Sequence, residues 1–370
     1  MAYKIPYFSF NKINSDTGRD LNLVFRELLD SKWYILGRNL NDFENEFAKY
    51  IGVKHAIGVG NGFDALKISL EALDLKKDDE VILPSLTFIA TLLAVIKAGA
   101  RPVLADVNPE TYVLDYSSIE SLIGPKTKAI IPVHLYGYPS NIPEILKNTK
   151  ENGIVVVEDY AQSVGAEFEG KKTGSFGLIN ASSFYPTKTI GAMGDGGIIT
   201  TDDKKLADKC RSLRNYGFTS EGQHKLIGHN SRLDELQAAF LSVKIPWLDI
   251  WNNERRSIAE KYIDNLSGIL GLRLPEHKIN TLPVYHIFSI LCEKRDALQE
   301  HLKDAGIETL VHYSTPLHLQ PSMTYLGYSK GSMPIAEKIS GMQLSLPIYP
   351  GLSDDKIDFI SEMIYRFMNK

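Results

Sequence analysis

Residues 153–201 read GIVVVEDYAQSVGAEFEGKKTGSFGLINASSFYPTKTIGAMGDGGIITT, and this stretch decides the fold. Four β-branched residues, Ile154 to Val157, follow one another without polar alternation, the pattern of a strand buried on both faces in a parallel sheet. The run ends in two carboxylates, Glu158 and Asp159. Ligands of open α/β sheets gather at the carboxyl ends of the strands, so these side chains stand where a site is expected. A second strand-like run, Ala181 to Tyr185, leads into a Pro–Thr–Lys turn carrying Lys188, and glycines follow at 191, 194, 196 and 197.

Taken singly, a strand-end Asp is commonly a helix cap and a loop Lys is commonly solvated. In this order they offer an amine able to form a Schiff base and an acid able to partner a pyridinium nitrogen. Pyridoxal 5'-phosphate chemistry needs that pair.

Outward from this segment, strands and helices alternate from about residue 50 to 245. Strands are predicted at Val81–Leu83, Pro102–Asp106, Ala129–Leu135, Ile154–Val157, Ala181–Tyr185 and Gly197–Thr201. One amphipathic helix follows Asn61, with Leu66, Leu70 and Leu73 on one face, and another follows Asn230, with Leu233, Leu236, Phe240 and Val243. The expected fold class is α/β, a mostly parallel central sheet flanked by helices. A long helix over 245–266 leads into a smaller α+β region, with a strand near Val284–Leu291 and a helix over Lys294–Ala305. The expected domains are 1–245 and 246–370.

The chain can bury a large core: it has 370 residues, 44% of them hydrophobic. Its net charge of −4 and its scattered basic residues leave no footprint for nucleic acid or an anionic membrane. Two cysteines, Cys210 and Cys292, are too few for a disulfide framework and carry no metal-ligand spacing, so no metal is expected. The start, MAYKIPYFSF, lacks a sustained apolar run, and no stretch of 18 apolar residues occurs. A cytoplasmic enzyme is the expectation.

In IGVGNGFDALKISLEAL, small residues sit in a turn before a helix. Main-chain N–H groups there, with the helix dipole behind them, form an anion site, assigned to the cofactor phosphate through Gly62 and Phe63. VILPSLTFIATLLAV places Phe88 just beyond a strand, where its ring would stack on a flat cofactor.

EDYAQSVGA, GSFG, SFYPTK and GDGG together resemble the sugar aminotransferases of the DegT/DnrJ/EryC1/StrS family, and the likeness runs from about Tyr7 to Leu352. SKWYILGRNLNDFENEFAKYIG, VHLYGYP, NSRLDELQAA and HYSTPLHLQP extend it. The resemblance implies a type I fold holding pyridoxal 5'-phosphate. Lys188 and Asp159 would be catalytic, Gln162 would bond the cofactor's phenolic oxygen and Ser183 its phosphate. Phe88 would be the stacking ring. Phe63 departs from the small hydroxyl residue or Leu usual in the family, which leaves only its main chain in the role. His134 and Tyr136 read as structural. Asn230 has two readings, a cap for the helix after it or, as in the family, a phosphate ligand reaching into the neighbouring subunit of a homodimer.

The motifs look most like enzymes that make dTDP-3-amino-3,6-dideoxyhexoses. The expected reaction moves an amino group from L-glutamate to C3 of a dTDP-linked 3-keto-6-deoxyhexose. Tyr34, Tyr185, His312 and Tyr313 are the candidate substrate contacts. A 4-keto nucleotide-sugar aminotransferase of the same family is the alternative. A dehydrating variant, with His in place of the Schiff-base Lys, is opposed by Lys188. A non-catalytic cofactor-binding regulator would carry a DNA-binding module, for which the likeness, starting within the first ten residues, leaves no room.

Overall fold

The computed structural model describes residues 4–219, 221–276 and 280–369. Its strands in chain order are β1 His55–Val59, β2 Glu80–Pro84, β3 Arg101–Ala105, β4 Thr127–Ile130, β5 Val155–Asp159, β6 Glu167–Phe168, β7 Lys171–Lys172, β8 Ile179–Ser183, β9 Gly197–Thr201, β10 Leu272–Arg273, β11 Thr281–Leu282, β12 Phe288–Cys292 and β13 Gln343–Leu346. The central sheet has the order β1-β9-β8-β5-β4-β2-β3. All pairs are parallel except the two made by β9, which runs against β1 and β8.

That topology brings the sequence motifs together. β1, β2, β4, β5 and β8 all point the same way, so their carboxyl ends share one sheet edge. Asp159 lies opposite Ala181, and Gly197 lies opposite both Val59 and Ser183. Asn61–Gly62, Ser85–Phe88, Asp159–Gln162 and the 184–196 loop therefore emerge side by side. The strands pass between helices, so their side chains are apolar on both faces: Ile57, Val81, Ile82, Leu83, Val156 and Val157 are all buried.

The helix Glu235–Leu266 runs unbroken for 32 residues through position 245/246, with Pro246 inside it. Beyond it, β10, β12 and β13 form a small antiparallel sheet beside the helices Arg295–Asp304, Pro334–Met342 and Asp354–Met368. One apolar core extends from Ile57 and Leu66 to Phe288, Leu344 and Ile360. β11 also crosses over to pair with β6. Among the described residues, no helix is long and apolar enough to cross a membrane.

Several predicted boundaries move for physical reasons. β4 stops at Ile130, not Leu135, because Pro132 has no N–H to give the ladder. The Leu135–Gly137 turn follows, with Tyr136 at φ 59°. β8 covers 179–183, so Tyr185 lies outside it, its N–H donating to Ser183 Oγ. The strand predicted from Val284 begins at Phe288. The helix expected just after Asn230 begins at Glu235 with Asp234 at its cap position, which removes the capping role for Asn230. Asn230 instead forms a backbone bridge with Asn215.

Candidate active site

Neighbouring side chains on a strand point to opposite faces, so Glu158 and Asp159 meet different surroundings. Glu158 is fully enclosed by donors: His134 Nε2 at 2.9 Å and the N–H groups of Gly174, Phe176 and Gly177 at 2.8, 2.6 and 2.8 Å. Ser140 N–H donates to His134 Nδ1, so the imidazole proton sits on Nε2, facing the carboxylate. Glu158 and His134 thus hold the loop 174–177 in place. The Asp159 carboxylate, also buried, accepts among the described residues from Thr91 Oγ1 at 2.8 Å and the Ala161 N–H at 3.2 Å alone. Burial pushes the Asp159 pKa up, against the pull of those two donors and of the Lys188 charge.

Lys188 sits on a loop with little freedom. Its N–H donates to Tyr185 O, Phe184 N–H to Gly196 O and Ala192 N–H to Phe184 O, each at 2.8 Å. A Cβ on Gly191 would lie 2.1 Å from Pro186 O, so only glycine closes this turn. Burial lowers the Lys188 pKa to about 8, opposed by the charge of Asp159. Near neutral pH the amine gives up its proton far more easily than an exposed lysine would. His286 and His312 are held neutral, first by burial and then by the Lys188 charge; His312 is lowered to about 4.

The helix Gly62–Ala72 begins beside Ser183. A Cβ on Gly62 would come within 2.5 Å of the Ser183 Cβ, so glycine is what lets the helix start approach β8. The first helical hydrogen bond, from Ala65 N–H to Asn61 O, leaves the Gly62 and Phe63 amides ahead of the ladder. Asn61 Oδ1 caps Asp64 N–H at 2.8 Å. Two leading amides and the Ser183 hydroxyl form a cradle for a phosphate.

Phe88, half exposed, stands at the N-terminal cap position of the helix Ile89–Lys97 and lies 5.8 Å, ring to ring, from Tyr313. The Tyr313 hydroxyl accepts from Gln162 Nε2 at 3.2 Å, and Gln162 Oε1 accepts from Tyr136 N–H at 2.8 Å. Among the described residues the second Nε2 hydrogen of Gln162 takes no partner, which leaves it for a ligand. His312 is fixed by Ser345 and Gln343, and its carbonyl accepts from the Tyr136 hydroxyl.

Gly62, Phe63, Phe88, Asp159, Gln162, Ser183, Tyr185, Lys188, His312 and Tyr313 are thus gathered at one end of the sheet. Tyr34 is exposed, and its carbonyl accepts from Glu235 N–H at 3.3 Å. The Glu235 carboxylate in turn accepts from the amides of Gly37, Asn39 and Leu40. Asn230 is exposed, and among the described residues its side chain makes no hydrogen bond. Three contributors escaped the sequence reading. Thr91 stands three residues after Phe88, one helical turn on, a spacing that could have flagged it. Lys244 interrupts an apolar helix stripe and donates to Gly191 O. His286 carries no local signal.

These residues fit pyridoxal phosphate. A buried carboxylate that makes no ion pair among the described residues, an amine of lowered pKa and a glycine-made anion cradle each match one part of that molecule. Asp159 would hold the ring nitrogen, Lys188 the carbonyl carbon, and Gly62, Phe63 and Ser183 the phosphate.

Residues 15–365 match the DegT/DnrJ/EryC1/StrS aminotransferase family. The Saccharopolyspora erythraea erythromycin biosynthesis sensory transduction protein EryC1 is 44% identical, over 96% of this chain and 97% of that one. The dTDP-3-amino-3,6-dideoxy-alpha-D-galactopyranose transaminase of Aneurinibacillus thermoaerophilus is 41% identical, over 98% of this chain and 99% of its own. The crystal structure of S. venezuelae DesV, in complex with a ketimine intermediate, superimposes with a TM-score of 0.97 at 38% identity, with both chains fully covered. The chain belongs to the DegT/DnrJ/EryC1/StrS aminotransferase family and is a pyridoxal-phosphate-dependent sugar aminotransferase.

Proposed function

We propose that the protein transfers an amino group from L-glutamate to C3 of a dTDP-linked 3-keto-6-deoxyhexose, giving a dTDP-3-amino-3,6-dideoxyhexose in the cytoplasm. The observation that carries this reading is the near end-to-end match to a transaminase named for such a product. The bound cofactor supplies an electron sink for the carbanion left when a Cα–H is removed. Lys188 Nζ would take up that proton and give it back, a role suited to an amine of lowered pKa. Asp159 would hold the ring nitrogen and keep it protonated. Glutamate leaves as 2-oxoglutarate, and the sugar's ketone oxygen leaves as water.

Gln162 would hold the ring oxygen with its remaining N–H, and Phe88 would cover the ring face. Tyr185, His312 and Tyr313 stand beside Lys188 and would line the sugar and diphosphate. Tyr34 would reach the sugar from the N-terminal segment. Asn230 would enter the partner subunit's phosphate site, making a shared-site homodimer. Its exposed side chain supports this, as do the exposed apolar residues of its loop, Tyr216, Phe218 and Ile227.

The test offers dTDP-3-keto-6-deoxyglucose, its galacto epimer, dTDP-4-keto-6-deoxyglucose and the UDP-linked 3-keto sugars, each with L-glutamate. Products are identified by mass and NMR. Amination at C3 of a dTDP sugar is expected. Amination only at C4 would overturn the regiochemistry. Cofactor binding without turnover of any keto sugar would favour the sensory role named for the S. erythraea relative.

A further inference from the structure

We propose that Glu71 and Asp64, both on the helix Gly62–Ala72, are positioning residues that present Asn230 to the cofactor site of the partner subunit. The inference rests on the shared-site reading above and adds the residues that make it work.

Asn230 is bracketed by two side-chain anchors. His229 Nε2 lies 2.7 Å from Glu71 Oε2, and Ser231 Oγ donates to Asp64 Oδ2 at 2.7 Å. Ser231 Oγ also accepts from Gly60 N–H at 3.1 Å. Asp64 and Glu71 are seven residues apart, two turns of one helix, so both carboxylates face the same side about 10 Å apart. Asp64 is itself steadied by Lys67 Nζ at 3.1 Å and Asn61 Nδ2 at 3.2 Å.

The backbone on either side is fixed as well. His229 N–H donates to Leu213 O at 2.7 Å, Tyr216 N–H to His229 O at 2.8 Å and Ser231 N–H to Arg214 O at 2.9 Å. Outside this clamp the 215–230 loop narrows to a neck that only glycines permit. A Cβ on Gly217 would lie 1.8 Å from Leu226 O, and one on Gly228 would lie 2.2 Å from Gly217 N. Both neighbours of Asn230 are thus tied inward to one helix, while Asn230 itself is exposed.

The helix doing the tying is the one whose first turn cradles the subunit's own phosphate. Each subunit's cofactor helix therefore sets the pose of a residue used by its neighbour. A lesion at Glu71 should weaken cofactor binding in the other subunit and spare its own.

Mixed dimers separate the two. In the first, a Glu71→Ala, Lys188→Ala chain is paired with a wild-type chain, so the one lysine-bearing site receives Asn230 from the lesioned chain. In the second, a Glu71→Ala chain is paired with a Lys188→Ala chain, so the lysine-bearing site receives Asn230 from an intact one. Cofactor affinity is read from the visible absorbance of the lysine-bound cofactor. The expected result is affinity about tenfold weaker in the first dimer and unchanged in the second. Glu71→Gln, which keeps an acceptor for His229, should recover most of the loss. His229→Ala replaces Glu71→Ala if that chain fails to fold, and the melting temperature of each homodimer controls for stability.

A loss confined to the second dimer, or none in either, overturns the proposal. Asn230→Ala run through the same pairings tests the underlying reading. If its effect stays in its own chain, or the protein sediments as an active monomer, the shared site itself fails.

Discussion

Lys244 Nζ, on the helix Glu235–Leu266, donates to the carbonyl oxygen of Gly191 at 2.5 Å, three residues beyond Lys188. The side chain is buried, and burial alone lowers its pKa to about 8. The same helix places Asn252 Nδ2 against Val164 O at 3.1 Å. Buried polar groups on one rigid helix thus hold the loop that carries the reactive lysine and the turn after Asp159.

A lysine whose folded pKa lies below its unfolded value burdens the fold while it is charged in both states. The burden lifts as pH rises from about 8 toward the unfolded value, because over that window the unfolded chain binds more protons. The stability of wild type relative to Lys244→Met should therefore improve between pH 7 and pH 10, by up to about 3 kcal/mol. Urea denaturation of both proteins at the two pH values measures it. A difference that does not change with pH would place Lys244 in an ordinary hydrated environment.

Asp159→Asn should keep the cofactor bound and lower kcat by about a hundredfold or more, since a neutral amide cannot hold the ring proton. Thr91→Val removes the hydroxyl that stabilises the charged carboxylate, so the Asp159 pKa rises further and protonation sets in at higher pH. The acid limb of the kcat–pH profile should move up accordingly. A profile superimposable on wild type would take Thr91 out of the site.

Lys188→Ala should abolish both turnover and the visible absorbance of the lysine-bound cofactor, while far-ultraviolet circular dichroism stays unchanged. Normal transamination by this variant would overturn the assignment of the base.

Gly62→Ala drives a methyl group into Ser183. Overpacking of this kind costs about 1–3 kcal/mol. Because the strain falls on the helix start, cofactor affinity should drop along with the melting temperature. Gly99→Ala serves as the control: a Cβ there meets nothing within 4 Å, although its φ of 84° strains the new side chain, so stability should fall while cofactor affinity holds.

Local sequence determined a good deal here. The unbroken Ile154–Val157 run specifies a doubly covered strand, Asp159 stands at its end, and the glycines around Lys188 specify a turn that few other sequences could close. Those features are legible because strand burial, turn geometry and helix starts depend on residues close together in the chain. The folded chain alone decided which of two adjacent carboxylates was left for a ligand. Glu158 is used up by His134 and the 174–177 amides, donors 16 to 24 residues away, while Asp159 keeps room for a cation. Tertiary structure also removed Asn230 from its capping role. The helix after it starts at Glu235 because Glu235 is engaged by Gly37, Asn39 and Leu40, nearly two hundred residues earlier. Lys244, Thr91 and His286 join the site by the same route. Hydrogen bonds and burial between distant segments are set by how the sheet edge and the long helix pack, and no short window of sequence contains both partners.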